Sequence, residues 1–267
     1  MYFSSGTRNG IQQWRLADGQ DVGKQPGMDV GAISVSRDQK WVVCGTVVYG
    51  IKFAPDSDRI ATLCSSYGDL PIRIFDSNNG DQLLSIENLM TYPAPLTPIA
   101  WSTDSQRLFA ISNGHKIKSF DSSTGSQLAE WQIHANGDPK NMSIAVSPNN
   151  NLFIASSSGH FLSFWDTSTH TQLGIIEDTE RIYSITFSHD VSHLARGSLG
   201  SGRIIVWDLG GIVPESYLPT KVSILMSILT FIHRLCFRAR VKSLLDPNPE
   251  CQWSSCSAID SRTNARD

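Results

Sequence analysis

The chain has 267 residues, 40% of them hydrophobic and 18% charged, with a formal net charge of −3 and a pI near 6.1. This length suits a single β domain with a tail. The slight acidity gives no overall attraction for nucleic acid, which is therefore not an expected partner. The five cysteines are odd in number and include no CxxC pair, which argues against a disulfide scaffold or a zinc site.

The first residues lack a basic region followed by an apolar stretch and a small-residue cleavage site. We therefore expect a chain that is not secreted and is cytoplasmic, with the nucleus as an alternative.

The first 46 residues are irregular. Residues 10–19 (GIQQWRLADG) look like a strand with Trp14 near its end and Arg15 after it, and Asp21 to Lys24 could form the next strand. Two further strands are predicted in VGAISVSRD and KWVVCGT, after which a new strand begins at once. This part of the chain reads as if roughly 25 residues had been lost after Thr46.

From Val48 onward the chain repeats one order of four predicted strands, named a, b, c and d. The first repeat is VYGIKFAPD, RIATLCSS, IRIFDSNNG and QLLSIEN. Alternation of apolar residues, bounded by turn residues, is typical of strands. The Asn79-Gly80 dipeptide between c and d predicts a type I′ hairpin turn.

Each of the four c strands ends in an aromatic residue followed by aspartate. The pairs are Phe75-Asp76, Phe120-Asp121, Trp165-Asp166 and Trp207-Asp208, with aspartates 45, 45 and 42 residues apart. A period of about 40–45 residues with a Trp-Asp ending is typical of a propeller blade of four strands. Counting the irregular front and a last repeat without d, we expect 20 strands, about five blades' worth, in an all-β propeller. A ring of so few blades is tight, so an open or distorted array is an alternative.

The aromatic residues are predicted to pack between blades, with Trp14 in the same position as the others. The aspartates are predicted to accept backbone N–H bonds in the following turn. Both roles are structural.

Composition changes from Pro219 onward. Lys221 to Leu245 carries apolar residues at helical spacing and basic residues near its end. Its apolar run is too short to span a bilayer. The alternatives are a helix packed on the propeller or on a partner, contact with a membrane surface, and a segment without a defined fold. The predicted division is 1–213 for the propeller, 214–245 for a linker and amphipathic helix, and 246–267 for a disordered polar tail.

The aromatic-Asp endings, the Pro-Asp turn after strand a and the small residues ending strand b resemble the WD40-repeat family, over about residues 1 to 213. The pattern of repeats is most similar to the WD40 arrays of large fungal regulatory proteins. The resemblance implies a β-propeller whose faces bind other proteins, without enzymatic chemistry. It also implies closure by a terminal strand, for which residues 10–24 are the candidate. The family's Gly-His pair before strand a is missing, and no repeat carries its whole His-Ser-Trp-Asp network.

Catalytic and cofactor motifs are absent from the sequence: it has no GxSxG elbow, no GxxxxGK[ST] loop and no GxGxxG. We therefore expect no catalytic, cofactor-binding or metal-binding residues. His189 and His193 are four apart, but Asp190 between them marks a turn. A propeller enzyme of the quinoprotein or lactonase kind, and a truncated piece of a larger WD40 protein, remain the alternatives to a protein-binding scaffold.

The most suitable partners are other proteins or peptides, bound by loops that join d to a and b to c. The loop 89–98 carries Tyr92, and the loop 135–141 carries Asp138 and Lys140. Trp101 and Trp131 fall outside the aromatic position of strand c, so an exposed indole at either could serve as a binding anchor. These five residues are the predicted partner-binding set.

Overall fold

The computed structural model describes residues 2–7, 10–15, 20–26, 32–37, 42–45, 48–64, 71–86, 99–112, 114–133, 142–149, 153–198 and 201–218. This part of the chain is all-β apart from a 3-10 turn at Glu215–Tyr217. Its antiparallel sheets are arranged as a β-propeller with four blades. The expected fold class is confirmed.

Three blades have four strands and the last has three. Blade I contains β6 (Val48–Phe53), β7 (Arg59–Cys64), β8 (Ile72–Asp76) and β9 (Gln82–Ile86). Blade II contains β10 (Ile99–Trp101), β11 (Arg107–Ser112), β12 (Lys116–Asp121) and β13 (Gln127–Gln132). Blade III contains β14 (Met142–Val146), β15 (Phe153–Ser158), β16 (Phe161–Asp166) and β17 (Gln172–Glu177). Blade IV contains β18 (Ser184–Phe187), β19 (His193–Gly197) and β20 (Ile204–Asp208).

Two partial sheets precede the blades. One contains β1 (Tyr2–Thr7), β2 (Gly10–Arg15) and β3 (Asp21–Pro26), and the other contains β4 (Ala32–Val35) and β5 (Val42–Gly45). The described residues thus form the 20 strands that the sequence predicts, but as four blades and two partial sheets rather than about five blades. The closing role expected for residues 10–24 is not observed in the described sheets, because β2 and β3 lie in the first sheet and neither lies beside β20 in blade IV.

Burial follows the position of a strand within its blade. The b strand β15 is buried at every residue, whereas the d strands β9, β13 and β17 alternate towards solvent. The first strands of successive sheets contact one another in the order β4, β6, β10, β14 and β18. The blades are therefore lined up by their a strands, with the d strands outermost.

The c and d strands share one irregularity in every sheet that has both. Their register shifts by one residue just before the aromatic position, at Trp14, Phe75, Phe120 and Trp165.

The c–d turns of blades I to III have a positive φ at their last residue only, in Gly80 at 79°, Gly125 at 73° and His170 at 60°. The type I′ turn predicted at Asn79-Gly80 is therefore wrong. Asp76 accepts a hydrogen bond from the Asn78 backbone N–H instead and fixes a longer loop.

Two apolar clusters fill the spaces between blades. One joins blades I to III and includes Leu63, Ile74 and Phe109. The other joins blades III and IV around Phe153 and Phe164. Burying each such large side chain contributes about 1.5–3 kcal/mol relative to exposure, so this packing is the main source of stability.

Residues 209–218, here called the strap, do not add a fourth strand to blade IV. They turn back to blade III, where the Asn149 side chain donates to the Tyr217 carbonyl at 2.7 Å and the rings of Phe153 and Tyr217 meet edge to face. Leu209 and Val213 of the strap are buried in the second cluster. Part of the segment predicted as a linker is therefore packed against the propeller.

Candidate interaction surface

The blades have two ends that differ in composition. One end carries the turns from b to c and the linkers from d to a, and we call it the linker end. In the described residues it comprises 114–116, 159–160, 178–183 and 201–203. The other, the turn end, carries the a–b and c–d turns together with the strap. The loops predicted to bind partners belong to the linker end.

A buried ion pair fixes the linker end between blades III and IV. Arg196 on β19 donates from Nε and Nη2 to the two carboxylate oxygens of Asp178, at 2.7 Å each. The side chain of Arg196 is 0% exposed and that of Asp178 is 4% exposed. Such a two-bond fork fixes orientation as well as distance, because the guanidinium and carboxylate planes must match.

The same guanidinium also reaches the surface through Glu180. Its Nη1 donates to Glu180 Oε2 at 3.1 Å, and the Ser201 hydroxyl donates to that oxygen at 2.6 Å. The linker from d to a is thereby tied to the b–c turn of the next blade. The hydrogen bonds from Ser201 and Arg196 lower the pKa of Glu180 to about 2, so this carboxylate is charged at neutral pH.

Exposed charges surround this buried centre. The side chain of Glu180 is 25% exposed, and Arg181 and Arg203 both lie at the surface. Charged side chains held on a fixed backbone can steer and orient an approaching charged group.

Two histidines occupy equivalent b–c turns of blades II and III. Each follows a glycine of positive φ, Gly114 at 77° and Gly159 at 62°. The carbonyl of His115 accepts from the Ile133 N–H, and that of His160 accepts from the Asp178 N–H. The Nδ1 of His160 lies 3.2 Å from the Asp178 carbonyl, which can only accept, so this nitrogen carries the proton. The ring of His160 is thereby held beside the d–a linker of blade III.

The repeated aspartates lie at the turn end, where each accepts hydrogen bonds from the backbone that follows it. Asp121 accepts from Ser123 and Thr124, and Asp166 accepts from Ser168 and Thr169. Asp76 and Asp208 each accept from the residue two positions on. Each of these carboxylates therefore accepts hydrogen bonds within its own turn.

The aromatic partners of those aspartates differ in burial. Phe120 is 4% and Trp165 is 7% exposed, whereas Phe75 and Trp207 are half-buried. The indole N–H of Trp165 donates to the Ser156 hydroxyl at 3.2 Å. The side chain of Trp14 lies outside the described residues, although its backbone has the expected register.

The predicted partner-binding set is not assembled by the described residues. Tyr92, Asp138 and Lys140 lie outside them. Trp101 and Trp131 are only 7% and 8% exposed, so the expectation of an exposed indole anchor at either position is wrong.

The two indoles are buried because each packs across a blade boundary. Trp101 donates from Nε1 to the Lys52 carbonyl at 3.1 Å and lies under the guanidinium of Arg59. Trp131 stacks on the ring of His170 in blade III, with centroids 4.6 Å apart. Both residues stabilise blade contacts.

The sequence reasoning missed Arg196 and its partners. A signal was present, because Arg196 stands inside the apolar strand HLARG, where a charged residue needs a partner. The acids of the preceding linker, Asp178 and Glu180, were among the candidates, together with the nearer Asp190.

The histidines of blade IV are separated, with His189 in the a–b turn and His193 at the start of β19. His193 Nδ1 lies 2.6 Å from the hydroxyl of Ser192, and His189 is exposed. The described residues hold no group of three or more His, Cys, Asp or Glu placed to bind one metal ion.

No protein-family model matches the sequence, and no curated protein matches it. The β-propeller arrangement therefore rests on the sheets, their registers and the repeated turns.

In the part of the chain that the structure describes, no helix is long and apolar enough to cross a membrane. Lys221 to Leu245, for which helix formation and membrane contact were expected alternatives, lies outside that part, as does the predicted polar tail.

Proposed function

We propose that this chain is a WD40-type propeller that acts as a non-enzymatic scaffold and binds other proteins or peptides at its linker end. The observation that carries the proposal is the buried pair of Arg196 and Asp178. It holds the d–a linker of blade III rigid while Glu180 and Arg181 reach the surface. A rigid framework with mobile or variable loops is the usual arrangement for recognition.

The distribution of polar groups supports this end over the other. At the turn end the repeated carboxylates are taken up by their own turns, and the strap covers part of blade III. At the linker end the buried groups satisfy one another and the surface charges remain presented to solvent. An interface needs such a polar rim around a few anchors.

Affinity capture with the full chain tests the proposal. Proteins retained by the wild type should be lost when Arg181 is changed to Glu and the loop 89–98 is replaced by Gly-Ser residues. Arg37→Glu is the matched control, because Arg37 is exposed and follows β4 at the turn end. Retention of the same proteins by the linker-end variant, or loss of them in Arg37→Glu, would contradict the proposal.

A further inference from the structure

The outer side of β20 in blade IV has no partner strand among the described residues. Every other c strand in the blades has a d strand beside it: β9 pairs with β8, β13 with β12, and β17 with β16. Blade IV ends at β20, which pairs with β19 alone in the described sheet. An open strand edge is a template for pairing with another chain.

Apolar side chains of β20 are exposed where their equivalents are covered. Val206 is 37% exposed, and the residues in its position in blades I to III, all c-strand residues just before the aromatic, are 0%, 4% and 0% exposed (Ile74, Ser119, Phe164). Ile204 is half-buried, and its three equivalents are each 0% exposed (Ile72, Ile117, Leu162). An added strand would cover both residues from the side.

The backbone of β20 is directed correctly for such pairing. The Arg203 carbonyl accepts from the Ser198 N–H, and the Leu209 N–H donates to the Ser192 carbonyl. Alternate residues of a strand bond to opposite sides. Ile204 and Val206 therefore direct their N–H and C=O groups away from β19, towards the open edge.

The ion pairs of blade II indicate which charge a fourth strand of blade IV should carry. There Lys116 and Lys118 of β12 both form ion pairs with Glu130 of β13, which lies opposite Lys118. By the shared register Arg203 occupies the position of Lys116, and its side chain is exposed. An acid opposite Ile205 would reach Arg203 in the same way.

We propose that the outer edge of β20 binds an extended segment of another protein as an antiparallel fourth strand. That segment carries a small or apolar residue opposite Val206, an acid opposite Ile205 and a large apolar residue opposite Ile204. The order is that of Ala129, Glu130 and Trp131 in blade II. Main-chain bonds supply part of the affinity, and the alternate side chains supply selectivity.

Two other occupants fit these observations less well. The residues that follow β20 directly are held on blade III as the strap, so they do not form a hairpin with it. A second copy could pair through its own β20 about a twofold axis. Residues directly opposite each other then have their side chains on the same face of the sheet, so even-numbered residues lie opposite even-numbered ones and odd-numbered opposite odd-numbered ones. Asp208 then cannot lie opposite Ile205, and no acid reaches Arg203.

A synthetic peptide with the sequence of residues 126–133 (SQLAEWQI) is a suitable probe, since it is the d strand of blade II. It should bind the full-length chain, measured by fluorescence polarisation. Val206→Pro should abolish binding, because proline removes an N–H that faces the open edge and leaves the bonds to β19 intact. Val206→Thr, which keeps that N–H, should retain it.

Exchanging the charges of Glu130 in the peptide and Arg203 in the protein tests the expected ion pair between them. The peptide with Glu130→Lys should bind wild-type protein about fivefold more weakly, and Arg203→Glu should restore its binding. Equal binding of both peptides to the wild type, or of either peptide to Val206→Pro, would overturn the proposal.

If a second copy or a segment of the same chain covers the edge of β20 instead, the experiments give different results, and either result would overturn the proposal. A wild-type dimer that Val206→Pro converts to monomer would assign the edge to a second copy. Slow hydrogen exchange of the edge-facing N–H groups of Ile204 and Val206 in the free full-length chain, unchanged by peptide, would assign the edge to a segment of the same chain. The edge lies apart from Arg181, so failure here leaves the capture experiment at the linker end unaffected.

Discussion

The phenol of Tyr217 donates a 2.5 Å hydrogen bond to Oδ2 of Asp166, a residue 51 positions earlier in the chain. Asp166 is the aspartate of the Trp-Asp ending of β16, and its other oxygen is occupied by its own turn. The bond therefore ties the strap to a repeat position of blade III. It also raises the pKa of Tyr217, because ionising the phenol would remove the donor from a carboxylate.

Removing that phenol should destabilise the propeller. Tyr217→Phe should lower the free energy of unfolding by about 1–2 kcal/mol, the usual worth of a hydrogen bond to a charged group that is not fully buried. Urea unfolding followed by tryptophan fluorescence measures the difference. Tyr183→Phe, outside the strap, is the control and should change little; equal loss in both variants would contradict the role given to the bond.

The same bond should make stability depend on acid. Burial would raise the pKa of Asp166, but hydrogen bonds from Ser168, Tyr217 and Thr169 outweigh it and hold that pKa well below 3.8. A lowered folded-state pKa contributes stability that is fully present above the unfolded value, about 3.9, and is lost as pH falls further. The unfolded-state pKa is the same in both proteins, so the difference between wild type and Tyr217→Phe should stay constant above about pH 3.9 and shrink as pH falls further, towards the lowered pKa of Asp166. A difference that stays constant on this further acidification would contradict the account.

Gly174 on β17 should not tolerate a side chain. A Cβ placed there would lie 2.2 Å from the Ile212 carbonyl oxygen of the strap, closer than any real contact. Gly174→Ala should therefore displace the strap and destabilise the chain by about 2 kcal/mol or more. Gly197→Ala is the matched control, because a Cβ at Gly197 meets nothing within 4 Å. Proteolysis rates at residues 209–218 should rise in the first variant only.

Removing one partner of the buried Arg196–Asp178 ion pair should lower the free energy of unfolding. Arg196→Met leaves the Asp178 carboxylate buried without its partner, which we expect to cost about 3–5 kcal/mol of unfolding free energy. The double variant Arg196→Met with Asp178→Leu removes both charges and should recover most of that loss. Chemical unfolding of wild type and the two variants gives the values; a double variant no more stable than Arg196→Met would contradict the cost assigned to the unpaired carboxylate.

Much of the fold follows from short-range patterns. The alternation in VYGIKFAPD and the aromatic-Asp endings specify β6 and the c strands because one strand repeats with a period of two and one blade with a period near 45. The same phase placed Trp14 in a c strand, and the register of β2 with β3 agrees.

Long-range contacts were not predictable in the same way. The burial of Trp101 and Trp131 depends on neighbouring blades, through Arg59 and His170, and no local pattern specifies it. The part of the strap that is predicted as a linker, residues 214–218 (PESYL), shows no period. Its position is fixed by Tyr217 meeting Asp166 and Phe153, residues of another blade.

The most direct test of the scaffold function is hydrogen exchange on the full-length chain with and without a captured partner. The account predicts slower exchange at the linker end, in residues 114–116, 159–160, 178–183 and 201–203, and unchanged exchange in the turns after Asp121 and Asp166. Protection confined to those turns and the strap, with none at the linker end, would contradict it.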